Sequence, residues 1–183
     1  QSWGDGLVMM AKCGNVNFIC GDHMLNYPLI GWVLNRCGAI IVSNKGGAAA
    51  AASLRAGVQR SHGEGRPRPI LIYPEGHLTP VGSGLRYRSG AWQLSSQLDR
   101  PVVPVATNLG QCWPQQKWTK FAGTAVIEFL DPMAPSSDRD TFLAELERRV
   151  ETRSRRLEAE NSVAATESVF DPENAGQTDP AMH

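Results

Sequence analysis

Apolar residues in this chain gather in short runs separated by glycine, proline and charged stretches, and the runs are of two kinds. Val16 to Cys20, Ala39 to Val42, Ile70 to Tyr73 and Pro101 to Thr107 are nearly continuous in apolar residues, which predicts buried strands. Gly123 to Leu130 alternates less cleanly, but its β-branched and aromatic residues also predict a strand. Helical patterns lie between them. Leu7 to Ala11 follows Asp5 and Gly6, the pattern of a short helix with an acidic residue near its start. Pro28 opens a helix through Arg36, with Leu29, Ile30, Val33 and Leu34 on one face and Gly38 beyond its end. Gly46 to Ser61 is alanine-rich, with Leu54 and Val58 four apart, and predicts a closely packing helix. Ser89 to Leu98 predicts another, with Trp92 and Leu98 as its apolar contacts. Residues 141–160 set Phe142, Leu143, Leu146, Val150 and Leu157 on one face, with Asp138 or Asp140 as N-cap.

Short apolar strands alternating with helices predict an α/β fold, a mostly parallel central sheet flanked by helices. The 183 residues suit one domain. It is assigned to residues 1–160, and residues 161–183 are expected to form an acidic, disordered tail. With 42% apolar and 20% charged residues the chain has an ordinary globular composition, which excludes a disordered chain or a disulfide scaffold.

Charge narrows the choice of partner. The chain is formally neutral, but every Lys and Arg precedes residue 157, so residues 1–160 hold 18 basic against 14 acidic side chains. That surplus is too small for a nucleic-acid binder, and no nucleic-acid partner is expected. Arg55, Arg60, Arg66, Arg68, Arg86 and Arg88 face only Glu64 and Glu75 in one stretch, which points to a local anion site. Cys13, Cys20, Cys37 and Cys112 occur singly, without a C-x-x-C or a paired histidine spacing, so no metal site is expected. Three of the four sit in apolar contexts and read as buried free thiols. The sequence shows no signal peptide, lipidation motif or long apolar run. It opens Gln1-Ser2-Trp3 without Met, so the expectation is a chain truncated at its start.

The run Ile70-Leu71-Ile72-Tyr73-Pro74-Glu75-Gly76 sets a carboxylate and a glycine directly after a buried strand, where open α/β sheets gather their ligands. Pro74 stops the strand, Gly76 permits close backbone approach, and Glu75 can accept a hydrogen bond from a substrate hydroxyl or orient a base. A solvated turn glutamate is the plainer alternative. Arg86 and Arg88, on the same glycine- and proline-rich loop, are either anion clamps or solvated arginines. His23 reads as a surface residue. Trp113, Lys117, Trp118 and Lys120 interleave aromatic and cationic side chains, which suits a membrane interface or else one core tryptophan on a solvated loop.

Four blocks in order give these residues a common context. Gln1-Ser2-Trp3-Gly4-Asp5, then Gly38 to Val42 ending in Ser43-Asn44, then Tyr73-Pro74-Glu75-Gly76, then Pro101-Val102-Val103-Pro104-Val105 with Asn108-Leu109-Gly110 and Trp113, together resemble the glycerolipid acyltransferases, in particular the bacterial 1-acyl-glycerol-3-phosphate acyltransferases. The first block of that family is H-Q-S-W-x-D, so the resemblance places the family's histidine immediately before Gln1. The chain departs from the family at Asn44 and at Leu78, where the family carries arginines assigned to the acceptor phosphate, and at His77, which replaces a threonine.

The resemblance implies an O-acyltransferase. The family histidine would act as general base on an acceptor hydroxyl, with Asp5 orienting its imidazolium and Glu75 as the second catalytic carboxylate. Substrate binding would fall to Asn44, Tyr73, Pro74, Gly76, His77, Arg86 and Arg88, and His77 could hold an anionic headgroup, substitute as base or face solvent. The donor would be acyl-CoA or an acyl carrier protein, used as co-substrate with no bound cofactor, and the acceptor a lysolipid at a membrane surface. The expected place is the cytoplasmic face of the inner membrane, peripherally or through an N-terminal segment, and the chain beginning at Gln1 is expected to be inactive. Two alternatives stand beside this: an acceptor without a phosphate, such as an amino-acid-containing lysolipid, or a non-catalytic lipid-binding module derived from the family.

Overall fold

The computed structural model describes residues 2, 4–14, 16–63, 68–76, 86–114 and 119–169. Helix α1 (Asp5–Cys13) leads into β1 (Asn17–Gly21), a 3₁₀ turn (Asp22–Asn26), α2 (Pro28–Arg36), β2 (Ile40–Val42), α3 (Gly47–Gly63) and β3 (Ile70–Leu71). Helix α4 (Gly90–Leu98), β4 (Val105–Thr107), α5 (Leu109–Cys112), β5 (Ile127–Phe129) and α6 (Arg139–Val169) complete the order.

The first three strands form a parallel sheet in the order β2-β1-β3. Ile19 pairs with Ile40, Gly21 with Val42, and Phe18 with Leu71. Side chains alternate across a strand, so Ile19, Ile40, Val42 and Ile70 share one face and Phe18, Cys20, Ile41 and Leu71 the other. Leu54 and Val58 of α3 and Leu94 of α4 pack with Ile40 on the first face. Helix α1 lies over the second, with Gly6 close to the Phe18 ring. With β2 and β3 on opposite sides of β1, the two crossovers run in opposite directions, and right-handed connections put α2 and α3 on opposite faces. Helix α2 therefore lies on the side of α1.

A second core joins Tyr87, Ala91, Met133, Phe142 and Leu146, with Ile72 packed against both clusters. Here β4 and β5 are antiparallel, an addition to the expected parallel sheet, and α6 packs along them. Asp138 caps α6, accepting from the backbone N–H groups of Asp140 and Thr141 at 3.1 Å each.

Several expectations are corrected. Pro101 and Pro104 donate no backbone hydrogen bond, so the run from Pro101 to Thr107 forms strand only over Val105–Thr107, with an isolated bridge from Val102 to Met133. Ile70 to Tyr73 pairs only over Ile70–Leu71, before the chain turns at Pro74. Helix α2 turns Leu29 and Val33 to solvent rather than inward. All four cysteines are free, but each is half-buried rather than buried. Helix α6 runs past residue 160 to Val169. Asn161 donates to Gln111 Oε1 at 2.9 Å and accepts from the Thr124 N–H at 3.2 Å, partners that only the folded chain supplies. Residues 170–183 lie outside the described residues.

Candidate active site

Ser2, Gly4 and Asp5 are bonded to one another at the start of α1. The Ser2 N–H donates to Asp5 Oδ2 at 2.9 Å, and the Gly4 N–H donates to Ser2 Oγ at 3.0 Å. Both side chains are buried, Ser2 at 2% and Asp5 at 6% exposure. The Asp5 carboxylate reaching back three residues to the Ser2 N–H is one half of a capping-box exchange, and the Ser-x-x-Asp spacing signals it in the sequence. Its effect is to hold the chain entering at Ser2 against the Asp5 carboxylate, which sits at the electropositive end of α1.

Trp113, just past α5, closes this turn from outside. A Cβ on Gly4 would come within 2.6 Å of Trp113 Cε3, so the close approach requires glycine there. The Lys120 ammonium lies 4.4 Å from the centroid of the same indole. Trp113 and Lys120 therefore bind each other against the Asp5 turn; Lys117 and Trp118 lie outside the described residues. Asn108 of the same block is buried at 1% exposure and does not line the cavity described below. Its amide donates to the Thr124 and Leu157 carbonyls and accepts from the Val126 N–H at 2.7 Å, joining β4, the approach to β5 and α6.

The turn after β3 brings in the second carboxylate. Gly76 has φ +73°, and its N–H donates to the Tyr73 carbonyl at 3.0 Å. The Arg88 N–H donates to the Pro74 carbonyl at 2.8 Å, and its guanidinium stem lies against Gly76 where any Cβ would collide. Gly76 thus answers both to a left-handed backbone and to a close neighbour. Arg88 is set over the turn, while Arg86 is exposed two residues before it. Burial, reinforced by the Asp5 carboxylate and by Cys20, pushes the Tyr73 hydroxyl well above the usual tyrosine range, so it stays protonated beside Asp5. Burial likewise pushes the Cys20 thiol up.

Asp5, Tyr73, Pro74 and Glu75 line one cavity of about 470 Å³. Its further lining is mainly apolar and comes from Met9, Leu94 and Leu98, Val105, Phe129 and Leu146. The structure thus joins the two carboxylates predicted as catalytic to an apolar interior contributed by elements far apart in sequence.

Asn44 stands beyond the C-terminal end of β2. Its Nδ2 lies 2.6 Å from His23 Nδ1, and its N–H donates to Asp22 Oδ1 at 3.2 Å. His23 is exposed, as expected, yet bonded to a predicted site residue, a partnership that nothing in the sequence spacing signals. Gly21, at the end of β1, leaves room for this pair, since a Cβ there would strike His23 and Asn44. Asn44 is not among the residues lining the cavity. His77 and Leu78 lie outside the described residues.

Residues 1–108 match a family model described as Acyltransferase. The 1-acyl-sn-glycerol-3-phosphate acyltransferase of Pseudomonas aeruginosa is 35% identical over 82 residues, covering 45% of this chain and 32% of that relative. The crystal structure of the 1-acyl-sn-glycerophosphate (LPA) acyltransferase PlsC from Thermotoga maritima shares the fold, with a TM-score of 0.68 and 20% identity over 87% of this chain and 64% of that one. The chain thus spans less than two thirds of the length of either protein.

Proposed function

Since the chain belongs to the acyltransferase family, we propose that it transfers a fatty acyl group from acyl-CoA or an acyl carrier protein to the free hydroxyl of a lysophospholipid of the 1-acyl-glycerol-3-phosphate type. The cavity that joins Asp5 and Glu75 to an apolar interior carries this reading. A hydrocarbon chain is favoured there by the transfer of its methylenes out of water, while the carboxylates remain for the reacting polar end.

On this reading the residue before Gln1 is the general base. The Ser2–Asp5 turn would hold that segment against the carboxylate, so Asp5 orients the base and stabilises its cationic form. The base takes the acceptor proton as the hydroxyl oxygen bonds to the thioester carbonyl carbon. The tetrahedral adduct then collapses, the carbon–sulfur bond breaks, and the proton leaves with the thiol. Glu75 accepts a hydrogen bond from the acceptor, and Tyr73, kept protonated, offers a donor beside Asp5. The step balances between thioester and hydroxyl, so the reading assigns no resident cofactor. It places the protein at the cytoplasmic face of the inner membrane, where its acceptor resides.

A second reading of the acceptor follows from Asn44. An amide bonded to His23 and Asp22 stands where an arginine would meet a phosphate, and the adjoining carboxylate disfavours an anion. This reading replaces lysophosphatidic acid by a lysolipid without a phosphomonoester.

The test is acyl transfer by the chain extended upstream, with acyl-CoA and acyl carrier protein as donors and a panel of lysolipids as acceptors. Transfer should appear, and the chain starting at Gln1 should be slower by ~10²–10⁴-fold. Equal rates would remove the upstream base from the mechanism. Lipid binding without transfer to any acceptor would leave the non-catalytic lipid-binding module.

A further inference from the structure

We propose that the outer face of α2, with the 3₁₀ turn before it, is a docking surface for an anionic lipid bilayer. The proposal deepens the reading above by naming the surface from which the acceptor would be drawn, and it rests on that reading only for the acceptor's being a membrane lipid.

The observation behind it is a helix turned inside out. Leu29, Trp32, Val33 and Arg36 recur at the spacing of one helical stripe, the arrangement that a globular protein buries. Here Leu29 is 79%, Trp32 63% and Val33 44% exposed, and Tyr27, just before the helix, is 58% exposed. Among the described side chains of the helix, Gly31 is buried, packed against Leu25 of the 3₁₀ turn, and Leu34 is half-buried, while Leu29, Trp32 and Val33 face out. Leu7 of α1, on the same side of the sheet, is also 55% exposed. Apolar area gathered in this way marks an interaction site rather than ordinary surface.

Charge and side-chain type choose among the possible occupants. From His23 through Gly63 the chain contains no Asp or Glu, while Arg36 and Lys45 flank the stripe's end and the following strand. The Arg36 guanidinium lies 5.8 Å from the Trp32 ring centroid. Exposed tryptophan and tyrosine beside a cation with an apolar stem suit the depth where acyl chains give way to headgroups. Apart from Asp22 at the start of the 3₁₀ turn, whose carboxylate accepts from the Asn44 N–H, this surface carries no carboxylate and is complementary to anionic headgroups.

Position gives the surface a use. The 3₁₀ turn continues directly from Gly21, at the C-terminal end of β1, and Tyr73 and Glu75 follow the neighbouring strand at the same end of the sheet. Docking here would set the acceptor headgroup beside the site while its tail remained in lipid. Among the described residues no helix is long and apolar enough to cross a membrane, so this contact is interfacial.

The experiment is co-sedimentation of the 183-residue chain with phosphatidylcholine vesicles, with and without phosphatidylglycerol, for wild type, Leu29→Glu with Trp32→Glu, and Arg36→Glu. Wild type should partition onto the anionic vesicles, and the double variant should bind ~10²-fold more weakly. Arg36→Glu should lose affinity on anionic vesicles and change little on neutral ones. The mutated positions are exposed, so circular dichroism should be unchanged. Should the double variant unfold, quenching by bromine-labelled lipid, present in wild type and reduced in Trp32→Phe, tests the same contact. Absent binding by wild type, equal binding by the double variant, or a solution dimer that it dissociates would overturn the proposal. Vesicle binding lost in the double variant, with no acyl transfer by the extended protein, would leave docking standing and the functional reading failed.

Discussion

Gly4→Ala tests the claim that Trp113 holds the Asp5 turn. The backbone at Gly4 is ordinary right-handed helical, φ −76° and ψ −19°, so alanine brings no backbone strain. The whole effect is contact. A Cβ there would lie 2.6 Å from Trp113 Cε3 and 2.8 Å from Cζ3, whereas carbon atoms rest at about 3.5–4.0 Å. Either the indole or the turn must therefore move by about 1 Å, and the indole is held against the Lys120 ammonium. Overpacking of this kind costs ~1–3 kcal/mol, which lowers the Tm of a domain of this size by roughly 2–12 °C. If the turn moves, Asp5 moves with it, and a displacement of ~1 Å at a catalytic group costs ~10²-fold in rate. The assays are thermal melting of the present chain and kcat of the upstream-extended one. Trp113→Leu in the same chain removes the colliding atoms and should recover most of both losses. If Gly4→Ala melts and turns over like wild type, or if Trp113→Leu restores nothing, Trp113 does not position this turn.

Asn108→Ala should destabilise the whole domain by ~2–5 kcal/mol, since it removes a buried amide and strands the Val126 N–H and two carbonyls; a melting curve like that of wild type would show that these bonds do not hold α6 to the sheet. Glu145 has its pKa lowered to about 2 by hydrogen bonds from Arg148 and Arg149. The unfolded chain therefore binds the proton first as pH falls, and the stabilisation, complete above about pH 5, should disappear as pH drops toward 2. A Tm difference between wild type and Glu145→Gln that persists at pH 2 would contradict this. Asn44→Arg with Leu78→Arg should raise kcat/KM for lysophosphatidic acid relative to an acceptor without a phosphomonoester by ~10²–10⁴-fold, and Arg88→Ala should impair wild-type use of lysophosphatidic acid. An unchanged ratio together with an unaffected Arg88→Ala would show that neither the two lost arginines nor Arg88 governs the acceptor.

Local pattern decided a good deal about this protein. Pro28 with its helix through Arg36, the alanine-rich α3 and the long stripe of α6 were legible because helices are specified by nearby residues, through caps and a 3.6-residue period. Tyr73-Pro74-Glu75-Gly76 was legible as a turn after a strand for the same reason. Strand lengths were less so. Pairing is set by the neighbouring chain, and the prolines at 101 and 104 interrupt a ladder whose partner no local window contains. The direction in which α2 faces was also hidden, because its stripe shows a helix with two unlike sides but not which side meets the protein. Nor could the chain announce that Trp113 lies on Gly4, that Asn161 joins Gln111 and Thr124, or that Asp5 and Glu75 open onto one cavity with Leu98, Phe129 and Leu146. Each joins residues tens of positions apart, and such contacts exist only after the chain has closed its loops. Residue types and periods are written one position at a time, whereas a cavity is a property of surfaces that meet.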